Sequence, residues 1–217
     1  MNKTIIKQDT LEAIKLLSQN KELINGFILV GGTALSLHIN HRESEDIDLF
    51  TEKEFLNKQR INSLIDKTVK DYSPIRDKEN YLEFLINNIK VTFYSYGMPI
   101  ENKSFINNLN IATIDEIAAM KAYTLGRRAT FRDYYDLYCL MLNGYDLQRI
   151  IDLTKQRYGK KFNPGLFLKQ LVYLDDIKQM SVINPKYKVD EKEILKFMTE
   201  KIRAYKEELN EEQSLKL

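Results

Sequence analysis

Two short motifs near the start of the chain combine residue types that could bind a phosphorylated substrate and a metal ion. The first is Gly31-Gly32-Thr33, which follows the apolar run Phe27–Val30. A strand that ends in two glycines and turns into a helix leaves several backbone N–H groups unpaired, and the helix dipole adds positive potential there. Such a turn can bind phosphate, with the Thr33 hydroxyl as an added ligand. The alternative is a tight turn without a ligand.

The second motif is a pair of carboxylates, Asp46 and Asp48, in the alternating run Asp46–Phe50. Residues i and i+2 of a strand point to the same face, so both carboxylates should project together. Two adjacent carboxylates repel each other unless a cation lies between them, and hard oxygen ligands suit Mg²⁺ or Mn²⁺. Metal ions that bridge phosphates are the standard aid to phosphoryl transfer. The alternative is a pair of exposed aspartates at a strand edge.

Two polar residues, Arg42 and Ser44, lie between these motifs and could orient the aspartate-bearing segment or contact a triphosphate. The glycine turn is not a P-loop, because no Gly-Lys-Ser/Thr follows it, and it does not match Gly-x-Gly-x-x-Gly. A glycine turn and an Asp-x-Asp strand side by side are more specific than either motif alone. The first would hold the phosphates of a nucleotide and the second the metal ion.

The periodicity of the chain predicts an α+β fold in two parts. Apolar or alternating runs predict strands at 27–30, 46–50, 81–86 and 90–96, and helical spacing predicts helices at 8–24, from 33 and at 52–70. From the capping box Thr113-Ile-Asp-Glu116 onward, helices are predicted at 113–126, 131–142, 147–158, 164–173 and 190–209. We therefore expect a mixed α/β part at 1–112 and a helical part at 113–217 that share a cleft.

Composition limits the class of protein. With 217 residues, of which 43% are hydrophobic and 29% charged, the chain can bury a core. No apolar run approaches the roughly 20 residues that span a bilayer, and the N-terminus lacks the apolar block of a signal peptide. The single cysteine, Cys139, excludes a disulfide framework and a cysteine-based zinc site, so a reduced cytoplasm is expected.

The net charge of +2 hides a segregation of charge along the chain. Residues 121–188 carry 13 lysines and arginines against six aspartates and no glutamate. A local surplus of this kind favours binding to polyanions. The basic residues that could receive an RNA backbone are Arg149, Lys155, Arg157, Lys160 and Lys161. The alternative is a solvated, lysine-rich helical surface.

Two motifs in this order resemble the signature of the nucleotidyltransferase superfamily, and more narrowly that of its AbiEii/AbiGii toxin branch, the MenT-like proteins of type IV toxin–antitoxin systems. The first motif is Gly31-Gly32-Thr33-Ala34-Leu35 with Arg42-x-Ser44-x-Asp46-x-Asp48-Leu49-Phe50. The second is Glu116-Ile-Ala-Ala-Met-Lys121, then Arg127-Arg128 and Arg132-Asp133-Tyr-Tyr-Asp136-Leu137. The resemblance covers about residues 27–140. It implies a nucleotidyltransferase-type mixed β-sheet with flanking helices, followed by a C-terminal helical bundle that completes the active-site cleft.

The resemblance also implies a set of catalytic residues. Asp46 and Asp48 would hold the catalytic Mg²⁺ (or Mn²⁺), and Lys121 would contact the phosphates of the nucleotide. Asp133 and Asp136 would form an acidic pair, one member of which acts in catalysis. From their spacing alone, the charged residues around Asp133 could equally form intrahelical ion pairs.

The same resemblance implies a nucleotide-binding set, in which the glycine turn binds the triphosphate of an NTP. Its members are Gly31, Gly32, Thr33, Arg42, Ser44, Lys121, Arg128 and Arg132.

The chain departs from the superfamily pattern at the third carboxylate, which many members place on a later strand. The best candidate strand is 89–95, where Thr92 would most naturally face the site, and threonine is no base at neutral pH. Glu83 on the preceding strand could substitute if the register allows. Otherwise catalysis would rest on two carboxylates with Asp133 or Asp136.

We therefore expect a Mg²⁺-dependent nucleotidyltransferase that transfers a nucleoside monophosphate from an NTP to RNA, tRNA in particular. It would act as the toxin of a toxin–antitoxin or phage-defence system and be restrained by a separately encoded antitoxin. One alternative is nucleotidyl transfer to a small molecule or a protein. Another is a catalytically degenerate protein that binds nucleotide or nucleic acid.

Overall fold

The computed structural model describes residues 5–125, 127, 130–175, 177 and 181–214, with side chains to residue 211. The chain divides into two compact units, Met1–Ile117 and Ala118–Leu217. The first is an α/β unit and the second is helical, so the chain has the α+β architecture that the sequence predicts. None of the described helices is both long and apolar enough to cross a membrane.

The first unit is built on a mixed sheet that has seven strands in the described part of the chain, in the order β3-β4-β5-β2-β1-β7-β6. The strands are β1 Phe27–Val30, β2 Ile47–Thr51, β3 Tyr72–Lys78, β4 Tyr81–Ile86, β5 Ile89–Ser95, β6 Asn102–Ile106 and β7 Leu109–Ala112. Strand β1 runs antiparallel to β2 and parallel to β7, and β2 runs parallel to β5. The strands with the two sequence motifs, β1 and β2, are therefore neighbours near the middle of the sheet.

The β4–β5 hairpin is set by its turn. Asn87 and Asn88 both have positive φ, 48° and 64°, which is the backbone of the two-residue turn that matches the twist of paired strands. Asparagine tolerates this left-handed conformation better than most residues. The register that follows pairs Ile86 with Ile89 and Glu83 with Thr92.

Among its described residues, the first unit has the helices α1 Gln8–Gln19, α2 Lys21–Ile24, α3 Gly31–Ile39 and α4 Lys58–Thr68. The single helix predicted at 8–24 is divided at Asn20, whose side chain accepts hydrogen bonds from the backbone N–H groups of Glu22 and Leu23. The helix predicted at 52–70 begins only at Lys58. Asn57 caps its first turn by accepting from the Arg60 N–H at 3.0 Å, so the sequence period extended the helix too far toward the N-terminus.

The core of the first unit explains why β1 and β2 hold a fixed position. All four residues of β1 are buried, and β2 alternates between buried and half-buried side chains. Phe93 of β5 packs edge-on against Phe27 and Phe84, with ring centroids 5.1 and 6.0 Å away. Because one face of β2 is fixed in this core, its other face must carry Asp48.

The helical part comprises α5 Ile114–Leu125, α6 Phe131–Leu142, α7 Leu147–Tyr158, α8 Pro164–Gln170 and α9 Glu191–Ser214, with a 3-10 turn at Gly159–Lys161. The bounds of α6 and α7 agree with the predicted ones, α8 is three residues shorter, and α9 extends five residues further. Side-chain caps define where two of these helices begin. At α7 the Asp146 carboxylate accepts from the Arg149 N–H at 2.7 Å, and at α8 the Asn163 side chain accepts from the Leu166 N–H at 3.0 Å.

Helix α6 supplies much of the core of the second unit. Tyr134, Tyr135, Leu137, Cys139 and Leu140 are each at most 1% exposed. The Tyr134 hydroxyl donates to the Gln170 carbonyl oxygen at 2.9 Å, so this ring packs and bonds internally. The Cys139 side chain is buried in the same core. Tyr134 and Tyr135 of α6 therefore serve packing.

Candidate active site

The glycine turn joins β1 directly to α3, since Val30 is the last residue of the strand and Gly31 the first of the helix. Gly31 has φ +74°, a conformation that favours glycine. A Cβ atom on Gly31 would overlap Asp48 Oδ2 and lie 3.3 Å from Asp48 Cγ. The absence of a side chain at Gly31 therefore lets the Asp48 carboxylate approach the backbone at the start of α3.

The second glycine makes room for a buried arginine. A Cβ atom on Gly32 would overlap Arg42 Nη2 and lie 3.2 Å from Ser44 Oγ. Arg42 is 3% exposed, and its Nη1 donates to the Glu43 carbonyl oxygen at 3.0 Å. The two glycines of the turn thus each admit one functional group, the Asp48 carboxylate at Gly31 and the Arg42 guanidinium at Gly32.

Thr33 ties the turn to the aspartate-bearing segment. Its hydroxyl hydrogen-bonds to Ser44 Oγ at 2.9 Å and to the carbonyl oxygen of Asp46. Thr33 is 1% exposed and Ser44 is 5% exposed. In this structure both hydroxyls position the backbone at Asp46, a role that the sequence offered as one of two for Ser44.

The two aspartates lie at the start of β2, with Asp46 one residue before the strand and Asp48 within it. Asp48 is paired with Val30 of β1 on one side and with Thr92 of β5 on the other. Asp46 Oδ2 lies 3.1 Å from Lys90 Nζ, and the Asp46 side chain is 33% exposed. Lys90 precedes Thr92 by two residues and so shares its face of the sheet. One face therefore carries both carboxylates and a lysine ammonium.

The register also settles where Glu83 lies. Asp48, Thr92 and Glu83 are aligned across β2, β5 and β4, which places Glu83 two strands, or about 10 Å, from Asp48. Its side chain is 6% exposed, with Lys90 Nζ at 4.0 Å and Arg76 Nε at 3.9 Å. Thr92 is thus the immediate neighbour of Asp48, and Glu83 is the nearest acid beyond it in this row.

Tyr81 of β4 is a further polar residue beside Glu83 and Thr92, and the sequence motifs did not single it out. Burial raises the pKa of its hydroxyl, which bonds to Thr92 and to Glu83. Lys90 and Tyr81 could both have been found from the alternation of side chains in the hairpin, since Lys90 is two residues from Thr92 and Tyr81 two from Glu83. The missing information was the register of β5 against β2, which is a tertiary property.

Asp46 and Asp48 suit a divalent cation by the chemistry of their donors. Both are hard oxygen ligands, and the Lys90 ammonium bound to Asp46 shows that the site attracts a cation. Among the described residues no three His, Cys, Asp or Glu side chains form a metal-binding group. Mg²⁺ is commonly held by one or two carboxylates together with substrate phosphates, so two carboxylates beside a glycine turn at a helix N-terminus fit that pattern.

A second set of candidate residues lies in the helical unit. Lys121 of α5 places its Nζ 2.9 Å from Asp133 Oδ1 and 2.6 Å from Asp136 Oδ2, both on α6. The Lys121 side chain is 12% exposed and that of Asp136 is fully buried. The Lys121 ammonium is therefore shared by two carboxylates of the neighbouring helix. Asp133 and Asp136 thus form ion pairs with α5 rather than within α6.

Asp133 has a structural task as well. Its Oδ2 accepts from the backbone N–H of Thr130 at 3.2 Å and from the Thr130 hydroxyl at 2.7 Å, which completes a capping box at the start of α6. Burial alone would raise the pKa of Asp133, but the charge of Lys121 and the hydrogen bonds from Lys121 and Thr130 hold it below its ordinary value. Both oxygens of Asp133 are thus occupied by protein groups.

The predicted residues therefore fall into two sets, one in each unit. The first comprises Gly31, Gly32, Thr33, Arg42, Ser44, Asp46 and Asp48, and the second comprises Lys121, Asp133 and Asp136. Arg132 is an exposed residue of α6. Arg128 lies outside the described residues.

A glycine turn beside an aspartate pair on a mixed sheet is the arrangement that the motifs predict for a nucleotidyltransferase. The family described as "Nucleotidyl transferase AbiEii toxin, Type IV TA system" matches residues 15–215 of this chain. The chain therefore belongs to the AbiEii family of nucleotidyltransferase toxins, as its motifs predict. Enzymes of this class generally use divalent metal ions.

Known proteins resemble most of the chain in sequence or in fold. An uncharacterized protein of Aquifex aeolicus (strain VF5) is 34% identical over 211 residues, which cover 93% of this chain and 98% of the relative. A crystal structure of an H. pylori protein described as a nucleotidyltransferase matches 94% of this chain and 98% of its own, at 20% identity and a TM-score of 0.57. ANT(2″)-Ia, solved in complex with adenylyl-2″-tobramycin, matches 69% of this chain and 97% of its own, at 10% identity and a TM-score of 0.51. The two structures show that the fold is shared.

Proposed function

We propose that this enzyme transfers a nucleoside monophosphate from an NTP to RNA, with tRNA as the first acceptor to test. The observation that carries the proposal is the contact between the glycine turn and the aspartate pair, in which Asp48 lies against the backbone of Gly31. The turn offers N–H groups and the positive end of a helix dipole to the triphosphate. Asp46 and Asp48 offer the carboxylates that would hold Mg²⁺ (or Mn²⁺).

In the proposed reaction a hydroxyl of the acceptor attacks the α-phosphorus of the NTP. The bond between the α-phosphorus and the oxygen that bridges it to the β-phosphorus breaks, pyrophosphate leaves, and the proton of the hydroxyl passes to solvent. A divalent cation, when bound, supplies charge neutralisation at the phosphates and lowers the pKa of the attacking hydroxyl. The protein contributes position: Arg42 and Thr33 fix the turn and the Asp46 segment relative to each other.

Roles for the helical set follow from its chemistry and from the family. Lys121 is the cation proposed to contact the nucleotide phosphates, and Asp136 is the acid proposed to act in catalysis. Asp133 is proposed as a positioning residue, because its Oδ1 bonds Lys121 and its Oδ2 caps α6. We further propose that Arg132 and Arg128 assist in nucleotide binding.

RNA is favoured as the acceptor by charge. Residues 121–188 carry 13 basic against six acidic residues, whereas the chain as a whole has a net charge of only +2. Basic surplus of this kind attracts a polyanion through counterion release. Both proposed substrates, NTP and RNA, occur in the cytoplasm, and we propose the cytoplasm as the compartment of the enzyme.

A small molecule is the second candidate acceptor. The shared fold with ANT(2″)-Ia, whose complex contains an adenylylated aminoglycoside, favours it. The two acceptors differ in charge, since a polycationic aminoglycoside needs acidic side chains around it and RNA needs basic ones. The acceptor can therefore be assigned by direct comparison.

The toxin family implies a second partner. Type IV toxin–antitoxin membership implies an antitoxin, and we propose that it is separately encoded and that the pair acts in toxin control or phage defence. Expression of the wild-type enzyme alone should slow growth, and the Asp48→Ala variant should not.

The test is incubation of the protein with each α-labelled NTP, Mg²⁺ and either total tRNA or an aminoglycoside. Label should enter RNA with one preferred NTP, and Asp48→Ala should reduce the rate by at least about 100-fold, since metal-assisted charge stabilisation is worth several kcal/mol. Asp71→Ala, at an exposed aspartate of the same unit, is the matched control and should keep the rate. Label in the aminoglycoside but not in RNA would contradict the RNA proposal, and label in neither would contradict both.

A further inference from the structure

A column of stacked side chains stands on one side of the helical unit. The rings of Tyr123 on α5 and Tyr158 at the end of α7 are parallel, with an interplanar angle of 1° and centroids 3.6 Å apart. The guanidinium of Arg127 covers the Tyr123 ring, with its Cζ 3.4 Å from the ring centroid. Arg157 Cζ lies 5.4 Å from the centroid of Tyr158. Each of the two stacked rings thus has an arginine guanidinium within reach of its π-system, which favours the arrangement electrostatically.

Two hydrogen bonds and one ring contact hold the Arg127 guanidinium in this column. Its Nη1 donates to the Tyr123 carbonyl oxygen at 3.0 Å, and its Nη2 donates to the Lys161 carbonyl oxygen at 3.2 Å. The Tyr123 ring covers one face of the guanidinium. Arg127 is nevertheless exposed. Its second face is therefore presented to solvent as a flat, cationic and immobilised surface.

A cavity of about 230 Å³ adjoins this surface. Most of its wall is apolar, formed by Ala122, Tyr123, Phe162, Leu166 and Phe167, and Lys161 adds one cationic side chain. Leu166 is 52% exposed although it is a large aliphatic residue. The volume lies below the 300–1,000 Å³ or so that drug-sized ligands occupy, so it suits one planar ring system.

The surroundings of the cavity carry positive charge. Lys160 and Lys161 are exposed on the 3-10 turn that provides part of the wall, and Lys155 is exposed one turn earlier on α7. A polyanion whose ring entered the cavity would bring its phosphates toward these side chains. This combination of a flat cationic platform, an apolar slot and flanking lysines is the chemistry that binds unpaired bases of single-stranded nucleic acid.

We propose that Arg127 and this cavity bind one unpaired nucleobase of the RNA acceptor, which stacks on the open face of the guanidinium. The inference rests on the proposed RNA acceptor and adds a binding site to it. Tyr123 lies two residues after Lys121 on α5, so the two side chains leave the helix on nearly opposite sides. The site is thus a docking site for the acceptor, separate from the Lys121 group. The column beneath Arg127 fixes the platform before RNA arrives, which lowers the entropic cost of binding.

The test measures RNA binding without catalysis. In an Asp48→Ala background without NTP, a single-stranded RNA that contains 2-aminopurine is titrated, and both the dissociation constant and the fluorescence quench are recorded. Arg127→Ala should weaken binding about tenfold and abolish the quench, since one base stack is worth about 1–3 kcal/mol. Arg127→Lys should retain part of the affinity, because the charge remains, but lose the quench.

Arg149→Ala is the matched control. Arg149 is an exposed arginine of the same unit that also lies over a tyrosine, with Cζ 4.3 Å from the Tyr145 ring centroid, but it does not line the cavity. Arg149 is one of the basic residues that could contact the RNA backbone, so its loss should lower affinity about twofold through charge alone and leave the quench intact. Equal weakening by Arg127→Ala and Arg149→Ala, with the quench kept in both, would overturn the inference and leave only a charge effect.

A second measurement uses the unaltered protein in case Arg127→Ala does not fold. RNA that carries 4-thiouridine should crosslink to peptides within 121–127 or 159–167, and crosslinks confined to other segments would overturn the inference. Failure of the inference and failure of the proposed function remain distinct. Label transfer to RNA that is unaffected by Arg127→Ala rejects the base site alone, whereas a wild-type protein that neither labels nor binds RNA rejects both.

Discussion

Asp48 Oδ2 occupies the space in which a side chain on Gly31 would begin, so any residue other than glycine at this position would have to displace the Asp48 carboxylate. Register places them together: Asp48 is paired with Val30, the residue before Gly31, across the β1–β2 ladder. The turn proposed to bind phosphate and the carboxylate proposed to bind the metal ion therefore meet at Gly31. Its consequences can be tested by adding a single methyl group.

Gly31→Ala should lower the rate of nucleotidyl transfer at least about 100-fold, because the new Cβ must displace the Asp48 carboxylate. Stability should also fall by about 1–3 kcal/mol, since alanine is strained at φ +74°. Gly144→Ala is the matched control. It has φ +92°, and a methyl group there would meet no described atom within 4 Å beyond its chain neighbours, so it should lose stability and keep activity. Equal activity of the two variants would contradict the proposed role of the contact.

Lys90→Met should tighten the binding of a divalent cation in the absence of nucleotide. The Lys90 ammonium lies 3.1 Å from Asp46 Oδ2 and competes with a metal ion for that oxygen. A half-exposed ion pair is worth at most about 1 kcal/mol, so Mn²⁺ should bind up to about fivefold more tightly. Titration followed by electron paramagnetic resonance measures this directly. Lys53→Met, at another exposed lysine of the unit, should leave the affinity unchanged, and unchanged affinity in Lys90→Met would show that Asp46 does not bind the metal.

Lys121→Met should destabilise the helical unit as well as reduce activity. The substitution leaves the carboxylates of Asp133 and Asp136 buried without their shared cation. Loss of one partner from a buried ion pair costs about 3–5 kcal/mol, which denaturant unfolding would detect. Lys155→Met removes an exposed lysine that lies 3.9 Å from Asp152, and its cost should stay below about 1 kcal/mol. Similar free energies of unfolding for the two variants would show that Lys121 is not the balancing cation.

Asp133→Asn should lower the free energy of unfolding near neutral pH. It should also make that free energy less sensitive to a fall in pH. The pKa of Asp133 is lower in the folded protein than in the unfolded chain, so ionised Asp133 stabilises the fold above its ordinary pKa near 3.8. This contribution is lost as the pH falls below that value and through the folded pKa. The gap in unfolding free energy between wild type and Asp133→Asn should therefore narrow below about pH 4.

Urea unfolding at a series of pH values measures that gap. Asp152→Asn, at an exposed aspartate 3.9 Å from Lys155, serves as the control and should give a gap below about 1 kcal/mol at neutral pH. A gap for Asp133→Asn that stayed constant from pH 7 to the acid limit of folding would mean that the Lys121 charge does not stabilise the carboxylate.

Local information in the sequence was sufficient for two of the helices, for one hairpin and for the two motifs. Helices α6 and α7 follow from a 3.6-residue period and their caps, and the β4–β5 hairpin follows from Asn87-Asn88. Strands β3, β6 and β7 were not predicted. Six of the seven residues of β3 are exposed, because it is an edge strand, and such a strand has no buried face to impose alternation on its sequence.

Tertiary structure decided which residues meet. Asp48, Thr92 and Glu83 are aligned by the register of three strands, Lys121 is shared by two carboxylates of another helix, and Arg127 reaches the backbone of Lys161 thirty-four residues away. The sequence by itself determined the residue types, the turn that needs two glycines and the class of chemistry, since these depend on neighbours along the chain. The partners of each charged group depend on which strands and helices pack together, and that packing is fixed by the whole core rather than by any single motif.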